Sequence, residues 1–199
     1  MNLEVLRDRE EIMNKRFKRV SLIGLVAGGI LLSTSAVSHA DIYMKIDGVQ
    51  GESTVTGRAG QIEVGDFTFG VTAPAATNTT SMGISTGKPK FQEVTVKKFF
   101  DSATDETLKM LGTSKSFNSI VIEVTKANGD HQQNYVRYTF TNCFITGDNM
   151  VVSGEDEISE AVSFIYKGIK VDYFKSGADG KVATTPQTFA FDLSTMKLA

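Results

Sequence analysis

Period-two alternation of apolar and polar residues is the feature that most constrains the fold of this 199-residue chain. Because successive side chains of a strand point to opposite faces, the alternation predicts strands with one buried face. Two later segments are rich in β-branched and aromatic residues, which also favours strands. The predicted strands therefore fall within residues 42–46, 62–71, 94–96, 120–125, 135–140, 160–174 and 187–193.

Turn signals lie between several of these segments. Asn128-Gly129 and Asp179-Gly180 are each predicted to form a type I′ hairpin, because these residue types tolerate positive φ. The alternation in 62–71 changes phase at Gly65-Asp66, which predicts a β-bulge. Many short strands with regular turns indicate a barrel or a sandwich.

One stretch, residues 102–111, departs from the β pattern and predicts a short helix. Ser102 is a candidate N-cap, Leu108 and Leu111 follow at helical spacing, and Gly112 is a plausible stop. The body of the chain is therefore predicted to be mainly β with one short helix.

The first forty residues have the three-part layout of a secretory signal peptide. A basic segment at 15–19 precedes an apolar run from Val20 to Leu32, and small residues then lead to a predicted cleavage between Ala40 and Asp41. The apolar run is shorter than the ~20 residues that span a bilayer, although an uncleaved anchor remains the alternative. Met13 begins a more usual basic segment than Met1 does and is an alternative start. We predict a signal peptide at 1–40 and a folded domain at 41–199.

Composition argues against several classes of function. Residues 41–199 carry 15 Lys and Arg against 19 Asp and Glu, which disfavours a nucleic-acid partner. A single cysteine, Cys143, excludes an intrachain disulfide and a thiolate zinc cluster. After the predicted cleavage only His131 remains for acid or base chemistry. The sequence predicts neither an enzyme nor a cofactor or metal site.

The remaining polar candidates each favour an ordinary interpretation. His131 follows a predicted turn and is interpreted as a solvated histidine rather than a general base. Cys143 lies among apolar residues and is predicted to be a buried, unreactive thiol. An acidic run is interpreted as a solvated loop rather than a calcium site, because it lacks the ligand spacing of an EF-hand; it comprises Glu155, Asp156, Glu157 and Glu160.

Asp41–Ser53 resembles the opening strand of the haemolysin-coregulated protein (Hcp) family, which forms the tube of the bacterial type VI secretion system. The stretch 160–173 is the most family-like of all. Their order and spacing along 41–199 carry the resemblance, which continues through residues 62–71, Gly87–Phe91, Phe99–Gly112 and Thr188–Asp192.

This resemblance implies a compact antiparallel β-barrel with one short flanking helix. It also implies homohexameric rings that stack into a tube, with effectors carried in the lumen and type VI spike, sheath and effector proteins as partners. It implies secretion by the type VI route, and it implies no catalytic residue, cofactor, small-molecule substrate or nucleic acid.

The segment 72–90 has no strand pattern and is rich in Ala, Thr, Ser and Gly. A loop of this length in a compact domain is either functional or disordered. With the family resemblance we interpret it as an arm that stacks rings. The candidate stacking residues are Thr72, Ala73, Pro74, Thr79, Thr80, Ser81, Met82 and Gly83.

The signal peptide supports an alternative function. Members of this family normally lack one, because the contractile apparatus exports them from the cytoplasm. A signal-bearing Hcp-like domain could instead be a periplasmic or secreted protein-binding module that is not part of a tube.

Overall fold

The computed structural model describes residues 40–199 apart from 79–82, 129–130, 153, 155–156 and 178–179. The described part is mainly β, with one helix, α1 (Ala103–Thr113). Its strands are β1 (Ile42–Ile46), β2 (Ile62–Val64), β3 (Asp66–Thr68), β4 (Val71–Thr72), β5 (Ala75–Asn78), β6 (Gly83–Thr86), β7 (Lys90–Phe91), β8 (Val94–Phe99), β9 (Ser116–Asn128), β10 (His131–Val151), β11 (Ser159–Ile165), β12 (Gly168–Tyr173), β13 (Gln187–Asp192) and β14 (Lys197–Leu198).

The predicted signal peptide lies outside the described residues, except for Ala40 at its end. The cleavage between Ala40 and Asp41 therefore stays a prediction. Within the described residues, no helix is long and apolar enough to cross a membrane.

Strand β10 is the centre of a ten-stranded antiparallel sheet. It pairs with β9 along one edge. Along the other edge its first half pairs with β12 and its second half with β11. The predicted strand 160–174 is thus two strands, divided at Tyr166 and Lys167, that run along the same neighbour.

The sheet curves into a barrel through a bend in the chain at Gly65. β2 pairs with β1, whereas β3 pairs with β8, so the run 62–68 changes partner strand at this glycine. The Gly65 N–H donates to the Lys97 carbonyl at 2.9 Å. The change of phase that predicted a bulge is therefore a change of partner strand. The ladders themselves do not make an uninterrupted cylinder, because the return from β1 to β8 depends on this bend.

The first predicted hairpin is confirmed but its turn type is not, and the turn is shifted by one residue, because β9 and β10 still pair at Asn128 and His131. The two residues between them lie outside the described part. At the second, Gly180 has a φ of +77° and Ser176 bridges Val182, while Asp179 lies outside the described residues.

An aromatic cluster fills the barrel around Phe140, which is fully buried. Its ring meets Phe164 edge to face at 5.3 Å and lies 4.8 Å from the Tyr166 ring. Each large apolar side chain buried in this way contributes roughly 1.5–3 kcal/mol. The core therefore supplies most of the driving force for closing the sheet.

Helix α1 lies on the flank of the barrel and begins close to the predicted position. Its first turn is capped by Asp101, whose Oδ1 accepts the Ala103 N–H at 3.0 Å. Ser102 occupies the N-cap position as predicted, but its Oγ donates to the Gln50 carbonyl and makes no capping bond to the helix. The stop predicted at Gly112 is wrong by two residues: the helix ends at Thr113, and Ser114 takes the left-handed conformation with a φ of +52°.

Candidate assembly surfaces

The segment from Val71 to Phe91, hereafter the arm, is a long β-hairpin built from two small ladders. β4 pairs with β7 at its base, and β5 pairs with β6 farther out. Between the ladders the Gly87 N–H donates to the Pro74 carbonyl at 2.8 Å. The arm therefore takes its shape from backbone hydrogen bonds.

The base of the arm is fixed to the barrel. The Phe91 ring lies 4.8 Å from the Phe191 ring of β13. The Gln92 N–H donates to the Gly70 carbonyl at 2.8 Å, which joins the two ends of the arm. These contacts hold the arm beside the first residue of β8.

The arm carries a small positive charge, and the residues that carry it are exposed. Lys88 and Lys90 are its charged residues, and no acidic residue occurs between Val71 and Phe91. Both lysines are exposed, as is the stretch from Val71 to Ala75. The described part of the arm therefore presents small uncharged groups and two cations to solvent.

A groove lined with carboxylates lies where β8 ends. Its volume is about 490 Å³, and the rings of Phe99 and Phe100 are 59% and 51% exposed there. Among the described residues that line it, four of eight are acidic and none is basic; they are Glu52, Ser53, Glu63, Phe99, Phe100, Asp101, Glu157 and Ile158. We call this the acidic groove.

Two of these carboxylates have partners inside the subunit. Glu52 accepts a hydrogen bond from the Ser102 N–H at 2.9 Å, and Asp101 accepts one from the Lys98 ammonium group at 2.7 Å. Glu63 and Glu157 are exposed. Exposed aromatic rings beside exposed carboxylates are suited to bind an apolar segment that carries cations.

The arm and the acidic groove are attached to opposite ends of one strand. The arm joins β8 at Val94, and the groove is reached at Phe99. At about 3.3 Å per residue, these strand ends are roughly 17 Å apart. A surface with one positive and one negative end is suited to head-to-tail contact between copies.

The sequence profile described as "Type VI secretion system effector, Hcp" matches residues 43–173 of this chain. The chain belongs to the Hcp family.

Relatives of this Hcp chain support the same assignment. It is 25% identical to Protein hcp1 of Pseudomonas aeruginosa over 77% of its own length and 94% of that protein. It superposes on a solved type six secretion system protein with a TM-score of 0.75 at 25% identity, covering 81% of this chain and 100% of the other. Hcp1 from Salmonella typhimurium shares the fold with a TM-score of 0.64 at 23% identity, over 80% of this chain and 99% of the other.

The eight candidate stacking residues of this Hcp chain all belong to the arm. Thr72 ends β4, Ala73 and Pro74 lie in the exposed link to β5, and Gly83 begins β6. The other four, Thr79, Thr80, Ser81 and Met82, lie outside the described residues. The structure places strands where the sequence showed no strand pattern, because small residues give no apolar alternation. The role of these residues in stacking stays a prediction.

The acidic groove was missed by sequence reasoning. Its residues come from four separate parts of the chain, so no local motif marks them. The available signal was Phe99-Phe100, two large aromatic residues at a strand end, which the resemblance had placed at the start of the helix segment.

The acidic run was only partly interpreted correctly. Glu157 is exposed, and Glu155 and Asp156 lie outside the described residues. Glu160 is only 2% exposed and pairs with Lys98, so its assignment to a solvated loop is wrong. The strand β11 turns this side chain inward, opposite Lys98 of β8.

Cys143 is buried as predicted, and desolvation raises the pKa of its thiol to about 12. A thiol with so high a pKa is a poor nucleophile at neutral pH. The side chain of His131 lies outside the described residues. Within the described residues, no group of three or more His, Cys, Asp or Glu side chains is placed to hold a metal ion.

Proposed function

We propose that this protein is a structural tube component of a type VI secretion system. It would assemble into hexameric rings that stack head to tail. Membership of the Hcp family supports the secretion system. The observation that carries stacking is the placement of the cationic arm and the acidic groove at opposite ends of β8.

In this proposal the arm of one ring enters the acidic groove of the next. Lys88 and Lys90 would approach Glu63 and Glu157, and the small residues of the arm would lie against Phe99 and Phe100. Such a contact uses two different surfaces of one chain, so it repeats without limit along an axis. Repetition along an axis is what a tube requires.

The proposed role is binding and assembly rather than catalysis. The partners would be further copies of the chain, together with spike, sheath and effector proteins of the same system. Secretion would follow the type VI route, and effectors would travel in the lumen of the rings.

The first experiment measures the oligomeric mass of the purified protein by light scattering on a sizing column. We expect a mass near six subunits. The intact mass of the exported protein gives its first residue, and a chain that begins at Asp41 would support the predicted cleavage. A monomer at micromolar concentration would contradict the ring and favour the periplasmic binding module.

The second experiment tests stacking by exchanging charges. Lys88→Glu with Lys90→Glu should shorten or abolish ring stacks seen by negative-stain electron microscopy, because carboxylates would then face carboxylates. Adding Glu63→Lys and Glu157→Lys in the same chain should restore them. Lys115→Glu with Lys175→Glu makes an equal change in net charge at exposed sites outside the arm and serves as the control. Unaltered stacks in the first variant would overturn the arm and groove contact while leaving the ring untouched.

A further inference from the structure

A buried ionic cluster ties β8, β11 and helix α1 together. The Lys98 side chain is fully buried and donates to Asp101 at 2.7 Å and to the Thr104 hydroxyl at 3.1 Å. It also donates to Glu160 Oε1. The same oxygen accepts a hydrogen bond from the Thr104 hydroxyl. One ammonium group therefore serves two carboxylates in the interior.

Three buried oxygens next to this cluster lack hydrogen-bond donors. Within the described residues, neither Asp148 oxygen nor Glu160 Oε2 has a partner. Asp148 of β10 pairs with Val162, two residues from Glu160 along β11, so both side chains point to the same face of the sheet. The two carboxyl groups are in contact there.

The balance of charge identifies what is missing. Asp101, Asp148 and Glu160 are three carboxyl groups around a single lysine, and Lys98 bonds to only two of them. A buried carboxylate without a donor is costly, and two in contact repel one another. A proton on Asp148 would turn an acceptor into a donor and satisfy Glu160 Oε2.

We propose that Asp148 and Glu160 share one proton in the folded barrel, and that this proton makes the cluster a pH-sensitive lock between β10, β11 and helix α1. This lock belongs to the fold of one subunit and does not depend on ring or tube assembly.

The surroundings of Asp148 agree with this assignment. Desolvation first, and then the charge of Glu160, raise its pKa to about 6, while Lys98 acts in the opposite direction. Asp101 faces the cluster from the link between β8 and α1, and Thr104 is the uncharged group that α1 contributes. Among the charged residues of α1, Asp105 and Lys109 are exposed and Glu106 is partly exposed.

The direction of the pH effect follows from the raised pKa. Between the ordinary value of 3.8 and about 6, the folded state holds a proton that the unfolded chain has lost. The stabilisation is therefore fully present below pH 3.8 and is lost as the pH rises through about 6. Above that window Asp148 is ionised in the barrel, and the lock is weakened.

The test is urea unfolding of the wild type and of Asp148→Asn between pH 4.5 and 8.5. The asparagine amide donates to Glu160 without needing a proton. We expect the urea concentration at the midpoint of unfolding to fall for the wild type as the pH rises through this range. At pH 8 the midpoint of the variant should be higher than that of the wild type. Asp66→Asn makes the same chemical change at an exposed carboxylate and should keep the wild-type slope. Parallel slopes for wild type and Asp148→Asn would overturn the proposal.

A second measurement does not depend on a variant that folds. Carbon-13 NMR of the side-chain carboxyls in the wild type should show Asp148 titrating near pH 6. Amide protection in the first turn of α1 should decrease over the same range, because Thr104 and Lys98 bond to the same cluster. Titration of Asp148 at or below pH 4 would show that no proton is shared.

Discussion

The barrel wall and the arm are both β-structure, yet they are held together by different forces. The wall around Phe140 has an apolar face buried in the core, so its strands alternate in the sequence. The arm has exposed residues along its base and outer link, and its shape depends on backbone hydrogen bonds. Burial requires an apolar pattern in the wall, whereas backbone pairing requires no such pattern in the arm. We expect substitutions in the wall to alter stability and substitutions in the arm to alter assembly.

The largest effect is expected from the core. Phe140→Ala should lower the free energy of unfolding by about 4 kcal/mol, because it removes a fully buried ring and leaves a cavity. Urea unfolding measures this loss. Phe189→Ala removes an equal ring that is 44% exposed and should cost much less. Similar losses for the two would break the distinction between wall and surface.

The buried ionic cluster should come next. Lys98→Met removes the cation from two carboxylates and should cost about 3 kcal/mol of unfolding free energy, because it leaves buried charge uncompensated. The neighbouring Lys97 supplies a matched control, since its side chain is 68% exposed and lies 3.6 Å from Asp66. We expect Lys97→Met to change stability by less than about 1 kcal/mol. If the two variants unfolded at the same urea concentration, the cluster would contribute no more than a surface pair.

A smaller effect is expected on the outer side of the barrel. Arg58 is 9% exposed, bonds to Glu123 and Asn134, and lies over the Tyr43 ring at 5.2 Å. Arg58→Ala should cost about 2 kcal/mol, the usual value for lost hydrogen bonds to a charged group. Thermal unfolding would measure it.

The control for that variant is Arg137→Ala. Arg137 bonds to the same Glu123 at 2.7 Å, but its side chain is 39% exposed. Its removal should cost less than the removal of Arg58. The reverse order would show that exposure does not set the strength of this network.

The smallest effect on stability is expected in the arm. Lys88→Glu with Lys90→Glu should change the free energy of unfolding by no more than about 0.5 kcal/mol, because both side chains are exposed. The same variant should show the largest effect on ring stacking. A large loss of stability would mean that the arm is part of the folded core, and the contrast between the two regions would fail.

How far the sequence led can be judged from particular elements. The strands around Phe140 and the helix near 103 were predictable, since apolar spacing and caps are local signals. The ends of α1 were less predictable. Ser102 holds the N-cap position, but Asp101 supplies the capping hydrogen bond. At the other end Ser114 adopts a conformation that usually favours glycine. The strands of the arm were missed because exposed strands of small residues carry no alternating pattern.

The sequence by itself determined the β class, the flanking helix, the buried thiol and the likeness to the Hcp family. It did so because each depends on residues close together in the chain or on their order along it. Only the tertiary structure decided that Glu160 faces Lys98, that Asp148 lies beside it, and that Glu63, Phe99 and Glu157 share one groove. Those groups are far apart in sequence. The pairing of β11 with β8 and with β10 brings Lys98, Asp148 and Glu160 together, and the packing of β2 and of the segment before β11 around the end of β8 forms the groove.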